Sequence, residues 1–147
     1  MDENEYRSTY QDVNPIRCVY EKAINSRICN CSKSTRFNLA DREGVSCNSA
    51  SAQRLCAELL NILREKARFT LQQGQTEAKL PHNAEMKIQN GGIKGIAKLI
   101  DDEKINQDDI ALVISSALIQ FESITALPFS EIMRDISAHQ SRKRRNR

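Results

Sequence analysis

All five cysteines of this 147-residue chain fall within its first 56 residues, at Cys18, Cys29, Cys31, Cys47 and Cys56, and that crowding constrains the fold more than any other feature. Three chemistries can explain it: disulfides, thiols packed in a core, and metal ligands. Disulfides need an oxidising compartment, whereas residues 1–10 are acidic and polar rather than basic and then apolar, so no secretory leader is expected. An odd number of cysteines also leaves one unpaired. Core packing suits Cys56, which stands beside Leu55 and Leu59. It does not suit Cys29 and Cys31, whose neighbours Arg27, Asn30, Ser32 and Lys33 are polar.

Metal ligation is therefore the expectation, with Cys29, Cys31, Cys47 and Cys56 as ligands and Cys18 as a substitute or extra thiol. Amides at helix starts and the nearby basic residues Arg17, Lys22, Arg27, Lys33, Arg36 and Arg42 are expected to favour the thiolate forms. Structural zinc usually takes cysteine pairs separated by roughly two to four residues, and this chain has none. A Cys-x-Cys pair with long, irregular intervals on either side is more easily matched to an iron–sulfur cluster, although neither ferredoxin spacing is present. An iron–sulfur cluster is the expected cofactor and Zn2+ the alternative.

The rest of the sequence predicts helices. Over residues 51–73, Ala52, Leu55, Cys56, Leu59, Ile62, Leu63, Ala67 and Phe69 recur at the spacing of one buried helical face, with Asn48 or Ser49 as N-cap and Gly74 as the stop. Further helices are expected over 80–90, ended by Gly91-Gly92, over 93–100, over 107–121 with Asn106 as cap, and over 129–140 behind Pro128, where Ile132, Met133 and Ile136 should face inward. No alternating strand pattern bounded by hairpin turns stands out. The expected fold class is all-α: a small irregular bundle of about five helices with a cysteine-rich, loop-rich N-terminal third. Residues 1–15 read as a flexible arm, 16–140 as one helical domain with its metal-binding segment at 16–60, and 141–147 as a basic disordered tail.

Composition narrows the function classes. The net charge of +3 arises in the tail, where Arg142, Lys143, Arg144, Arg145 and Arg147 stand together, and without them the body has fewer basic than acidic residues. Such a body lacks the broad positive face that phosphate backbones select, so nucleic-acid binding is not favoured. No apolar run approaches the roughly 20 residues of a membrane span, and a soluble, cytoplasmic protein is expected. Two histidines, His82 and His139, and the absence of a nucleophile motif give little basis for hydrolytic catalysis. Gly91-Gly92-Ile93-Lys94-Gly95 matches no phosphate-binding loop, and the acidic group Asp101, Asp102, Glu103, Asp108 and Asp109 lacks the pattern of a calcium loop. The functional expectation is a non-catalytic metal protein, an accessory for electron transfer, redox sensing or complex assembly that works with a larger complex or a redox partner. The alternatives are a zinc-stabilised regulator that binds nucleic acid through its basic tail, and a metal-free helical adaptor.

Overall fold

The structure is a computed structural model and describes residues 2–71 and 80–140. Helix α1 (Glu3–Val13) opens the chain, followed by a short helix α2 (Glu21–Asn25), strands β1 (Ser34–Leu39) and β2 (Arg42–Cys47), and the long helix α3 (Ala50–Thr70). Helix α4 (His82–Met86) runs through a π-helical segment (Lys87–Gly91) into α5 (Gly92–Lys98), and α6 (Ile110–Phe121) and α7 (Phe129–Ala138) complete the fold. The chain is mostly helical, yet β1 and β2 form an antiparallel two-stranded sheet. The all-α expectation is thereby corrected to a mixed fold.

The hairpin escaped sequence reading because its two-residue turn carries neither Gly nor Asn. Leu39 pairs with Arg42, so Ala40 and Asp41 alone form the loop. Two-residue hairpins need positive φ, which Gly or Asn normally supplies, and here Ala40 adopts it at 54°. Inside the hairpin Phe37 stands opposite Gly44, and its ring covers the space that a Cβ at Gly44 would occupy.

In place of the expected loose arm, residues 3–13 form α1, closed at its start by a capping box between Asp2 and Glu5. Its inner face carries Tyr10, which is 5% exposed and packs on the ring of Phe37. A buried polar network fixes this helix to the rest of the protein. The Tyr10 hydroxyl donates to Glu21, Asn14 Nδ2 donates to Tyr10 Oη and to the Val45 carbonyl at 2.9 Å each, and Val45 N–H donates to Glu21 at 2.8 Å. Burial, with Glu21 beside it, pushes the Tyr10 phenol up to about 12, so it serves as a donor across the physiological range.

The helical core follows the predicted periodicity where that was strongest. Ser49 caps α3, and Leu59, Leu60, Leu63 and Ala67 are buried beneath it, each leucine contributing about 1.5–3 kcal/mol by leaving water. Phe69, expected on the same face, is 86% exposed. Asp109 rather than Asn106 caps α6, accepting from Leu112 N–H. Ile132, Met133 and Ile136 of α7 face inward as expected. The expected stop at Gly74 and the basic tail at 141–147 lie outside the described residues.

Gly91-Gly92 do not end a helix. The chain passes through both in helical conformation, and the reason is the crossing of α7. A Cβ on Gly91 would lie 2.9 Å from the Ile136 Cα and 3.0 Å from the His139 Cβ, and one on Gly95 would lie 3.0 Å from the Asp135 Cβ. These glycines let two backbones approach closely. The π segment buries Ile88, Gln89 and Asn90, and Gln89 connects the rod to its neighbours: Ala23 N–H of α2 donates to its Oε1 at 3.0 Å, while its Nε2 donates to Glu85 at 2.9 Å. Burial alone would raise the Glu85 carboxyl, but the Arg64 guanidinium and Gln89 hold it below the usual carboxylate range.

Two substitutions test this description. Gly91→Ala should gain about 1 kcal/mol of helix propensity yet lose about 1–3 kcal/mol to overpacking against α7, so its denaturation midpoint should fall, and a rise would contradict the close crossing. Ala40→Gly should raise stability by up to about 1 kcal/mol, because glycine adopts positive φ without the Cβ clash. An unchanged midpoint would remove the strain assigned to that turn.

Candidate cysteine-lined site

The four candidate sulfurs that meet in this fold come from four separate pieces of chain. Cys18 lies in the loop before α2, Cys31 in the loop before β1, Cys47 at the end of β2 and Cys56 in the second turn of α3. Together they line one small cavity, whose wall is completed by Val19, Tyr20, Ala52, Gln53, Ile110 and Ala111, among others. Every pair among the four is close enough that ionising one thiol would oppose ionising the other.

Backbone pairing carries them there. Residues 16–18 lie antiparallel beside the end of β2, with Arg17 paired to Ser46. Cys18 N–H donates to the Val45 carbonyl at 3.1 Å and Cys47 N–H to the Ile16 carbonyl at 2.7 Å. On the other side Asn30 pairs with Asp109: its N–H donates to the Asp108 carbonyl at 2.7 Å and its carbonyl accepts from Ile110 N–H at 2.8 Å. Ser32 N–H then donates to Asp109 Oδ1 at 3.1 Å, which fixes Cys31 at the start of α6. Asn48 N–H donates to the Lys33 carbonyl at 2.7 Å and joins the two halves of the wall.

Cys29, expected as a ligand, is not part of this ring. It is fully buried in the hydrophobic core, and burial pushes its thiol up to about 11. Cys18, expected only as a substitute, stands in the ring instead. Alternation along Cys29-Asn30-Cys31 would place both sulfurs on one side, yet on either side of the Asn30 bridge to Asp109, Cys29 enters the core and Cys31 lines the cavity. No signal in the sequence announces that bridge.

The electrostatics of the site follow burial first. Desolvation pushes the Cys18 and Cys56 thiols up to about 12 and raises Cys31 as well, and neighbouring sulfurs raise these three further. The basic residues named from sequence do not reverse this. Arg17, Arg27 and Arg42 are held in ion pairs with Glu21, Glu43 and Glu3, and Arg36 bonds the Ile24 carbonyl. Of that group Lys33 lines the cavity and favours the Cys56 thiolate. Backbone amides do act on the sulfurs: Tyr20 N–H favours the Cys18 thiolate, and Lys33 N–H and Ala111 N–H favour that of Cys31. Ala111 stands in the first turn of α6, where amides have no partner within the helix. The Cys47 thiol donates to the Ser49 carbonyl at 3.1 Å.

One polar atom of the wall is left over. Tyr20 is 0% exposed and its hydroxyl has no hydrogen-bond partner, a condition that costs about 1–3 kcal/mol.

Among the described residues, no group of three or more His, Cys, Asp and Glu side chains is gathered tightly enough to hold a single metal ion. Tetrahedral zinc with bonds of about 2.3 Å would need its sulfurs about 3.8 Å apart. The four thiols share the lining of one small cavity without forming such a set. His82 bonds to Lys22 and lines an open cleft together with His139, away from the cysteines. All five cysteines are free, and no helix among the described residues is long and apolar enough to cross a membrane. No protein-family model, no curated protein and no solved structure matches the chain.

The raised thiols give the protein a defined pH dependence. The folded state holds the Cys18 and Cys56 protons up to about 12, against 9.0 for an ordinary thiol. Their contribution to stability is therefore intact below the ordinary value and is lost as pH climbs toward the folded one. Melting temperatures of metal-free protein should fall more steeply over that interval than those of a Cys18→Ala/Cys56→Ala variant. Parallel curves would show that these thiols are not desolvated in the fold.

Proposed function

We propose that Cys18, Cys31, Cys47 and Cys56 hold an iron–sulfur cluster, and that the protein is a non-catalytic redox accessory to a larger complex in the cytoplasm. The observation that carries this reading is the convergence of four thiols from four chain segments on one cavity. Cluster ligation by four thiolates places each sulfur on the rim of an inorganic core, which suits a ring better than a single ion does. The cavity is small as the thiols stand. Burial that keeps free thiols protonated is reversed by a bound cation, because coordinating sulfur loses its proton outright.

A bound centre of this kind would supply one-electron transfer between a reduced carrier and an acceptor. The residues of this protein supply the rest. The amides of Tyr20, Lys33 and Ala111 stabilise anionic sulfur, Val19, Ala52 and Ile110 keep the wall apolar, and the half-buried cysteines leave the site close to the surface where a partner could reach it. The zinc alternative has less support, since the chain has no cysteine pair at the spacing structural zinc usually takes. A regulator acting through the basic tail would depend on residues outside the described part of the chain.

Anaerobic expression followed by iron, sulfide and zinc analysis tests the assignment. Wild type and Cys29→Ala should carry iron and acid-labile sulfide in equal amounts, with broad visible absorption that bleaches on dithionite. Alanine at Cys18, Cys31, Cys47 or Cys56 should remove most of both. A colourless folded protein, with stoichiometric zinc or with no metal, would refute the cluster, and loss of iron in Cys29→Ala but not in Cys18→Ala would refute the ligand set.

A further inference from the structure

The geometry points to a second site, independent of the cysteines: the cleft between α2, α4 and the end of α7 binds a small soluble phosphate monoester. This cleft has a volume of about 830 Å³. Its walls are fixed by contacts within the protein. Ala23 N–H donates to Gln89 Oε1 at 3.0 Å, which ties α2 to the rod of α4 and α5, and Gly91 lets α7 cross that rod closely. A cleft set by such contacts exists before any ligand arrives, so little ordering cost opposes binding.

Charge singles it out. Without its tail the chain has fewer basic than acidic residues, yet this cleft holds a surplus of positive charge. Lys22 of α2 and Lys87 of the π-helical segment line it, and neither pairs with a carboxylate among the described residues. Lys22 Nζ instead donates to His82 Nδ1 at 3.2 Å, which leaves the ring proton of His82 on Nε2 as a further donor. The carboxylate in the wall, Glu21, is already taken by Tyr10, Arg17 and the Val45 amide. His139 at the end of α7 feels the same field: burial, then Lys94 and Lys87, hold its imidazole below the usual histidine range.

These donors define the class of ligand. A phosphate monoester carries about −1.5 to −2 charges at neutral pH, which matches two uncompensated lysines, and lysine binds phosphate as a point charge. Carboxylates are better met by the planar fork of arginine, and Arg17 of this wall is committed to Glu21. The side-chain amides of Asn83 and Gln140 supply neutral donors for further oxygens. The cleft falls in the range of roughly 300–1,000 Å³ typical of small-molecule sites. It leaves room beside the phosphate for an organic group, to which Met86 offers an apolar surface.

Titration of the full chain with glycerol 3-phosphate, followed through the NMR signals of the His82 and His139 rings, tests the site without reference to iron. Both signals should move along one saturation curve. Lys22→Gln/Lys87→Gln should bind about tenfold more weakly than wild type at an unchanged melting temperature. Glutamine at Arg142, Lys143, Arg144, Arg145 and Arg147 should leave the affinity as it is. A His82 signal that stays still, or weakening in the tail variant in place of the lysine variant, would overturn the site. Equal affinity for succinate would overturn phosphate as its ligand, and preference for phosphatidic acid vesicles over glycerol 3-phosphate would overturn the soluble ester. Should the double variant fail to fold, Lys87→Gln alone and the wild-type His82 signal decide by the same criteria.

Discussion

Two short backbone pairings hold the N-terminal third in its shape. One lays residues 16–18 against the end of β2, and the other lays Asn30 against residues 108–110 at the start of α6. Loops rich in Ser, Asn and Arg have no apolar stripe with which to dock, so they must be placed by saturating their backbone donors and acceptors. Each pairing delivers one cysteine: the first sets Cys18 beside Cys47, the second sets Cys31 at the start of α6. Cys56 needs no such device, because α3 is positioned by its own buried leucines.

The polar networks beneath these pairings explain why the loops tolerate burial. Glu21 is 8% exposed and receives Tyr10, Arg17 and the Val45 amide; Glu85 is 6% exposed and receives Arg64 and Gln89. Removing one member of such a set would strand a buried charge, which is far costlier than a lost surface contact. The two networks also tie α1, α2 and β2 to each other and α2 to the rod of α4 and α5. The cysteine ring is therefore attached to the helical core on both sides. The cavity lined by the four cysteines also carries the unpartnered hydroxyl of the buried Tyr20.

Much of the helical body was legible in the sequence because local physics settles it. The three-and-four spacing of Leu59, Leu63 and Ala67, the Ser49 cap and the inward face of α7 are properties of single helices, and each is present. The hairpin was not legible, since Ala40 holds a positive φ that its side chain disfavours and that only pairing of β1 with β2 enforces. Nor was α1, whose single buried residue, Tyr10, gives no period to follow and whose attachment depends on partners at Glu21 and Val45. Gly91-Gly92 read as a helix break because glycine weakens isolated helices, whereas here the helix continues so that α7 can cross against it.

The sequence by itself determined that the thiols are concentrated in one region and that a helical body of leucine, isoleucine and alanine would support them. Which thiols meet was decided by tertiary structure alone: Cys18 joins Cys31, Cys47 and Cys56, while Cys29 turns into the core. The reason is that a side chain's direction in a loop depends on hydrogen bonds to distant backbone, such as Asn30 to Asp108 and Cys18 to Val45. Spacing along the chain carries no record of those partners.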